Sequence, residues 1–345
     1  MDQNAYTNVP LRYVGPITIN GHGGSFRVRV PLATFEVPLW PSVSRGAQAS
    51  TKSGGITTTI VHDAMARSIV FEAESCQRAA DVINLLREKK SEIFAVAEST
   101  SRYLKCTEIN FRLVGSCIYA RLSGFTGDAS GHNMITKGAD AVLKFICTHY
   151  PDLSHISVSG NYCADKKVSS VNAILGRGKS VVAEAVLSRE ICERVLKTTP
   201  EAIVKLNEKK NLIGSLINGG VQSANAHFAN MLLAIYLATG QDAANIVEGS
   251  QGITQAEVRG DNLYFSVTLP NVIVGTVGSG KDLEGTKMAL ESLGCLENRE
   301  CGENSRRLAE IVAATVLCGE LSLLAAQTKP GELVRAHVNI ERRNK

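Results

Sequence analysis

The stretch SIVFEAESCQRAADVINLLREKKSEIFAVAE, residues 68–98, decides the fold class. Its first six residues form a short run rich in β-branched and aromatic side chains, the composition of a strand. A polar break follows. Ala79, Val82, Ile83, Leu85, Leu86, Ile93 and Phe94 then recur at helical spacing, which predicts one helix over residues 76–98. Downstream come the strand-like FRLVGSCIYARL (111–122), a second helical pattern over 133–148 and the run ISVSG (156–160). Residues 68–157 therefore read β-α-β-β-α, a compact insert within a larger and more helical domain.

Outside that insert, FRVRVPLATF (26–35), GITTTIVHD (55–63) and SVVAEAVL (180–187) read as further strands. Residues 1–24 read as loop, closed by the turn signal GHGG at 21–24. Residues 188–197 read as a helix. Two later helical stretches, 224–239 and 306–327, are apolar on most faces, which places them at the centre of a domain or against a partner chain. The apolar region 311–326 is interrupted by Glu320 and reads as a core helix instead of a membrane span.

A chain of 345 residues can bury a large core and support two domains. With 37 Lys and Arg against 33 Asp and Glu, and no stripe of basic and aromatic residues, the composition argues against a dedicated nucleic-acid binder. The mild positive excess suits an anionic small ligand. Nine scattered cysteines, without CxxC pairs or a His cluster at metal-ligand spacing, have the pattern of reduced cytosolic thiols. The start MDQNAYTNVPLRYVG has no basic segment followed by an apolar one, so no signal peptide is expected.

Two glycine-bearing segments point to a phosphate-bearing ligand. GTVGSGKD (275–282) follows an apolar run and has the glycine and Gly-Lys spacing of a phosphate loop, but Asp282 replaces the hydroxyl that would meet magnesium. TGDASGHNM (126–134) precedes a helical pattern, whose first backbone N–H groups can face a phosphate or be an ordinary cap. Asp165, Lys166 and Lys167 cluster after a strand-like run, either as a solvated turn or as an anion-binding loop. Glu36 sits among apolar neighbours, where an acid can have a raised pKa or simply face solvent from an edge strand. Taken singly, Lys210 fits a helix-surface charge, Asp242 a turn residue, His227 a satisfied core histidine and His337 part of a loose polar tail.

The order of segments is more specific than any one of them. PLATFE (31–36), SRG (44–46), DAMAR (63–67), TSRY (100–103), GDASGHNM (127–134), SVSGNYCADKK (157–167), GRGKSVVAEAV (176–186), KNLIGS (210–215), NAHFAN (225–230), ATGQDAA (238–244), GTVGSG (275–280), GENSRRLAEIVAATVLCGELSL (302–323) and LVRAH (333–337) resemble the successive motifs of 3-hydroxy-3-methylglutaryl-CoA (HMG-CoA) reductases, of the class that includes eukaryotic and archaeal enzymes.

The resemblance implies an α+β fold: a large helix-rich substrate domain (1–67 and 158–345, with a C-terminal flap from about 328) carrying an inserted small, ferredoxin-like NADP-binding domain (68–157). It implies reduction of HMG-CoA to mevalonate and CoA, the committed step of isoprenoid biosynthesis, with two NADPH per turnover and no metal. By similarity Lys210 stabilises the carbonyl oxygen as charge develops, Asp242 couples it to Glu36 as proton donor, and His337 on the flap protonates the CoA thiolate. Arg67, Ser159 and Lys167 match carboxylate contacts, Asp165 and Asn230 contacts near the substrate hydroxyl and reacting end, and Lys166 is placed to reach the thioester oxygen. Arg45, His227 and Lys197 match CoA contacts. Ser101, Arg102, Tyr103, Asp128, Gly131, Asn133, Val277, Gly278 and Gly280 match nucleotide contacts, with Arg102 facing a 2′-phosphate and Lys281 left as a surface charge.

A homodimer or homotetramer with active sites between subunits is implied as well. The expected location is the cytoplasm, or that of a soluble catalytic domain whose membrane anchor has been removed. The same motifs also suit NAD-dependent mevalonate oxidation or a catalytically silent relative. The sequence departs from the motifs at Ser130 and His132, where Met is usual, and at Gln48, where better-known members are basic.

Overall fold

The computed structural model describes residues 7–341 and shows a mixed α/β architecture around nine strands. The strands are β1 (Leu11–Gly21), β2 (Gly24–Ala33), β3 (Ile56–Glu72), β4 (Lys105–Val114), β5 (Cys117–Phe125), β6 (Ser154–Ser157), β7 (Gly178–Leu187), β8 (Ile253–Arg259) and β9 (Asn262–Val272). The larger sheet runs β2-β1-β3-β7-β9-β8. All its pairings are antiparallel except the short β1/β3 contact.

β3 joins this sheet to a second one. Its first half pairs with β7 (Thr57↔Glu184 to Ala64↔Gly178), and its second half pairs with β5 (Met65↔Gly124 to Glu72↔Cys117). β6 lies on the other side of that second half and β4 beyond β5, giving the antiparallel order β6-β3-β5-β4. Three helices, α1 (Leu39–Lys52), α2 (Cys76–Glu88) and α3 (Lys90–Glu98), are followed by α4 (His132–His149). The last three pack against the small sheet around Ile69, Phe71, Ala79, Leu86, Ile93, Leu122 and Leu143.

The larger core is built round the helix Glu303–Gln327, in which an almost continuous run from Leu308 to Ser322 is buried. By length and composition it is the one described helix able to cross a membrane, and 94% of its apolar window is buried within the protein. Its contact with α1 is so close that a Cβ on Gly46 would stand 2.0 Å from the Cys318 carbonyl oxygen. The second apolar helix, Phe228–Ala238, packs into the same core through Phe228, Met231, Leu232, Ile235 and Tyr236.

Several expectations are corrected. Residues 11–21, expected as loop, form strand β1, with GHGG as its hairpin turn to β2. The two runs at 55–63 and 67–73 are one strand. The helix expected over 76–98 breaks at Lys89 (φ −88°, ψ 18°), between α2, capped by Ser75, and α3. Residues 188–197 hold only Arg189–Ile191 as α-helix and then a π-helical turn, Cys192–Leu196. The tail expected to be loose contains a helix, Glu332–Glu341.

Candidate active site

Two sets of the expected residues gather in two places. The first surrounds a cavity of about 430 Å³ between the glycine segments, lined by Ala129–Met134, Gly240–Asp242, Asn245, Ile273, Val277–Ser279 and Lys281. The two segments touch: Thr276 N–H donates to Asp128 O at 2.8 Å, and Ala129 forms a β-bridge with Val277. A Cβ on Gly275 would lie 2.3 Å from Ser130 N, so this position requires glycine. Gly131 (φ 90°) opens α4 without a side-chain cap. The first N–H groups of this 18-residue helix thus stay available at the cavity wall, as an anion or phosphate ligand requires.

Asp242 lines the same cavity and caps a short turn through Ala244 N–H at 3.1 Å. Its ion-pair partner is Lys166, with Nζ 2.7 Å from Oδ2. The hydrogen bond to Asp242 raises the Lys166 pKa. On Asp242 burial opposes the charge, but the bonds from Lys166 and the Ala244 N–H prevail and hold the carboxyl below its ordinary range. The expected pairing of Asp242 with Lys210 is therefore corrected within this chain. Lys210 sits on the π-helical turn Asn207–Gly214, with Nζ 3.4 Å from Asn211 Oδ1. Burial lowers its pKa and the nearby Glu320 charge opposes the shift.

Lys166 is held by a loop under unusual backbone constraint, since Asn161, Ala164 and Lys166 all have positive φ (58°, 45° and 55°). Beneath it lies a fully buried ion pair, Arg177 to Glu248 at 2.9 Å. Glu248 Oε1 also accepts the Lys166 backbone N–H at 3.1 Å and Asn245 Nδ2 at 2.9 Å. Arg177 reaches Asp165 Oδ1 at 2.9 Å, and Arg67 stands 3.5 Å from the other oxygen of Asp165. Arg67, Asp165, Lys166 and Asp242 thus form one connected charged surface. Lys167 is exposed and folds back onto Asp165 O at 3.0 Å, and Ser159 is exposed on the same loop.

The second set lines a cavity of about 380 Å³: Glu36, Arg45, His227 and Asn230, with Leu323, Glu332 and Leu333. The helix Glu332–Glu341 therefore borders this cavity; the side chain of His337 on it lies outside the described residues. His227 Nε2 donates to Gly319 O at 3.0 Å, which leaves Nδ1 to accept Asn230 Nδ2 at 3.3 Å. Glu320, fully buried, accepts from Ala226 N–H (2.6 Å), His227 N–H (3.1 Å), Thr254 Oγ1 (3.0 Å) and Asn211 Nδ2 (3.3 Å). It ties Lys210 to this second set. Arg45 is anchored to Ser322 O at 2.6 Å and also borders an outer basic groove with Gln48, Lys52, Arg194 and Lys197.

Two further expectations change. The Asp128 carboxylate does not face the cavity: it accepts Ser305 N–H at 2.9 Å and Gly302 N–H at 3.0 Å, capping the central helix. Lys281 is not a surface charge. It is partly buried on the Gly240 carbonyl, and burial brings its pKa down to about 8 against the pull of Asp242. Ser101, Arg102 and Tyr103 form a turn after α3, where Arg102 stacks 4.6 Å over the Tyr103 ring, outside the cavity between the glycine segments. Gly280 (φ 82°) packs against Gly240 between the cavity-lining Ser279 and Lys281.

Sequence reasoning missed Arg177 and Glu248 as site residues. The available signal was an arginine between two glycines in GRGKSVV and an acid in NIVEGS, both beside apolar residues.

Comparison with known proteins identifies the family. Residues 3–342 match the family model described as hydroxymethylglutaryl-coenzyme A reductase. The chain is 45% identical over 338 residues to the 3-hydroxy-3-methylglutaryl-coenzyme A reductase of Pyrococcus abyssi, covering 95% of this chain and 81% of that one. With the enzyme of the same name from Methanocaldococcus jannaschii it shares 45% over 340 residues, 97% of this chain and 82% of that. A solved class II 3-hydroxy-3-methylglutaryl-CoA reductase from Streptococcus pneumoniae, bound to NADPH in open conformations, superposes with a TM-score of 0.74 over 94% of this chain and 86% of that one. At 17% identity that likeness speaks to the fold.

Proposed function

Because the chain belongs to the hydroxymethylglutaryl-coenzyme A reductase family of oxidoreductases, we propose that it reduces HMG-CoA to mevalonate and free CoA, consuming two NADPH and two protons. The observation that carries this chemistry is the Lys166–Asp242 ion pair beside the cavity formed by the two glycine segments. A cation stands there where a carbonyl oxygen beside a bound nucleotide gains negative charge.

The residues fit a dinucleotide. The uncapped start of α4, the Gly131 and Gly278 backbones and the Lys281 ammonium supply donors and positive charge suited to a pyrophosphate. NADPH supplies hydride when bound. The strand order β6-β3-β5-β4, with helices between, supports reading residues 68–157 as a ferredoxin-like nucleotide-binding insert in the larger domain. Arg102, exposed on its turn, is free to meet a 2′-phosphate and so to favour NADPH over NADH.

In this reading Lys166 takes over the role expected of Lys210. Its ammonium stabilises the carbonyl oxygen, and Asp242 keeps it charged and in place. Arg67, Ser159 and Lys167 hold the far carboxylate of the substrate, and the outer groove of Arg45, Lys52, Arg194 and Lys197 receives CoA phosphates. Glu36, Lys210, His227 and Asn230 complete the site from a neighbouring subunit, where His337 protonates the departing thiolate. Two features support a homodimer: the site residues divide between two places in one chain, and Ile174, Leu216 and Ile217 are 71–82% exposed.

Purified protein is expected to oxidise NADPH only when HMG-CoA is present, in a ratio of two to one, and to prefer NADPH to NADH. Mevalonate-dependent reduction of NAD without the forward reaction would overturn the assignment of direction.

A further inference from the structure

Arg45, Gln48 and Lys52 follow one another along one side of α1, at the three- and four-residue spacing that aligns side chains on a helix. This row is a ridge between two cavities, and all three residues border both. On one side lies the outer groove of about 480 Å³ that faces Arg194 and Lys197. On the other lies a cavity of about 610 Å³, closed by Arg27 of β2 together with Ser44 and Thr51. That second cavity shares Pro41 and Arg45 with the inner cavity of Glu36, His227 and Asn230, so the three spaces meet at Arg45.

Charge is distributed unequally across the ridge. The cavity beyond it is bordered by Arg27, Arg45 and Lys52 and by no acidic residue. In the outer groove Glu190 is present and already holds Arg194 at 2.7 Å. Cations gathered without a counter-charge repel one another, and a phosphate placed among them relieves that repulsion.

The backbone that carries these cations is fixed by a short chain of contacts. Thr51 Oγ1 accepts the Thr18 N–H at 3.2 Å and donates to Pro16 O at 3.3 Å, which ties the end of α1 to β1. Thr18 stands opposite Arg27 in the β1/β2 ladder. The backbone at Lys52 is thereby set relative to that at Arg27, while both side chains remain exposed to an incoming ligand.

CoA carries its phosphates in two places, a diphosphate in the chain and a separate 3′-phosphate on the ribose. We propose that the α1 ridge divides them: the outer groove takes the diphosphate, and Arg27 with Lys52 binds the 3′-phosphate on the other side, Lys52 supplying the charge that Gln48 lacks. The inference rests on the HMG-CoA reading and makes it more specific. Neither Arg27 nor Lys52 falls in a segment that carries the family resemblance, and the basic residue expected at position 48 reappears one turn along the same helix face. A lysine in the last turn also favours the helix end, but that role acts on stability and leaves ligand preference untouched.

The test is a preference, read by calorimetric titration of CoA and of dephospho-CoA, which lacks only the 3′-phosphate. The proteins are wild type, Arg27→Met, Lys52→Met, the double variant of these two, Lys52→Met with Gln48→Arg, and Arg194→Met. An exposed charge contact is worth about fourfold in affinity, so wild type should prefer CoA by about fifteenfold, R27M and K52M by about fourfold each, and their double variant hardly at all. Adding Q48R to K52M should recover most of the lost preference. R194M should weaken both ligands alike and keep the wild-type preference.

Wild type that binds CoA no more tightly than dephospho-CoA, a K52M loss shared equally by the two ligands, or a preference abolished by R194M and kept in R27M and K52M would each overturn the assignment. Without recovery by Q48R, the replacement of position 48 by Lys52 fails. A wild type that prefers CoA as expected but does not oxidise NADPH with HMG-CoA would refute the reductase activity and leave the phosphate contact decided.

Discussion

Replacing Lys166 with Met separates the two lysines that compete for the central catalytic role. The Lys166 ammonium makes a 2.7 Å contact with the Asp242 carboxylate, which shows how closely this side chain can approach a negative oxygen. Its side chain is 41% exposed, so an effective dielectric of ~20 is appropriate. A full charge on the reacting oxygen at that distance would then gain ~6 kcal/mol. The ground-state carbonyl already has part of that charge, so about half, ~3 kcal/mol, is specific to the transition state. That corresponds to a loss of ~150-fold in kcat, within the range seen when one oxyanion donor is removed.

The assay is NADPH oxidation with HMG-CoA and, separately, with mevaldehyde, because both carbonyls must meet the same cation. K166M is expected to lose kcat on both substrates with KM almost unchanged. Lys210→Met, altering the second cluster, is expected to raise KM more than it lowers kcat. Asp242→Asn removes the bond that raises the Lys166 pKa, so the alkaline limb of the kcat profile should move to lower pH. A K166M variant with more than ~10% of wild-type kcat, beside a K210M variant without turnover, would return the role to Lys210.

Other expectations follow from packing and charge. Glu248→Ala leaves the buried Arg177 charge with Asp165 as its remaining carboxylate and should destabilise the fold by ~3 kcal/mol, read from the urea midpoint. Gly46→Ala drives a methyl group into the Cys318 backbone and should cost ~3 kcal/mol or more, seen as a lower Tm; a neutral outcome would mean that α1 can move off the central helix. Lys281 has a folded pKa of about 8 against an ordinary 10.5. Its contribution to stability is present above the ordinary value and is lost as pH falls through the folded one, so stability should rise between these limits. Lys281→Met should flatten that rise in urea titrations across the pH range.

Local chemistry made much of the fold legible, and long-range pairing hid the rest. GHGG announced a turn because glycine tolerates the positive φ needed at Gly24, and the apolar spacing of Ile135, Ala139, Val142, Leu143 and Ile146 gave α4 its buried face. β1 was obscured because its first three residues are exposed and Gly15-Pro16 interrupts the run; only its pairing with β2 makes it a strand. The break at Lys89 leaves no mark in an amphipathic pattern that continues through both helices.

The same distinction applies to the site. Glycine segments are local, so an expectation about their ligand class can be drawn from spacing alone. The lysine that meets Asp242 is not a local property. Lys166, Lys210 and Lys281 each stand near polar or glycine-rich sequence, and only the fold decides that the first pairs with the carboxylate, the second lies beside Glu320 and the third binds a carbonyl. Glu248 is the physical reason for that outcome. By accepting the Lys166 backbone N–H while neutralising Arg177, it holds a positive-φ loop in place, so the position of the Lys166 ammonium is set by a buried acid that never touches it.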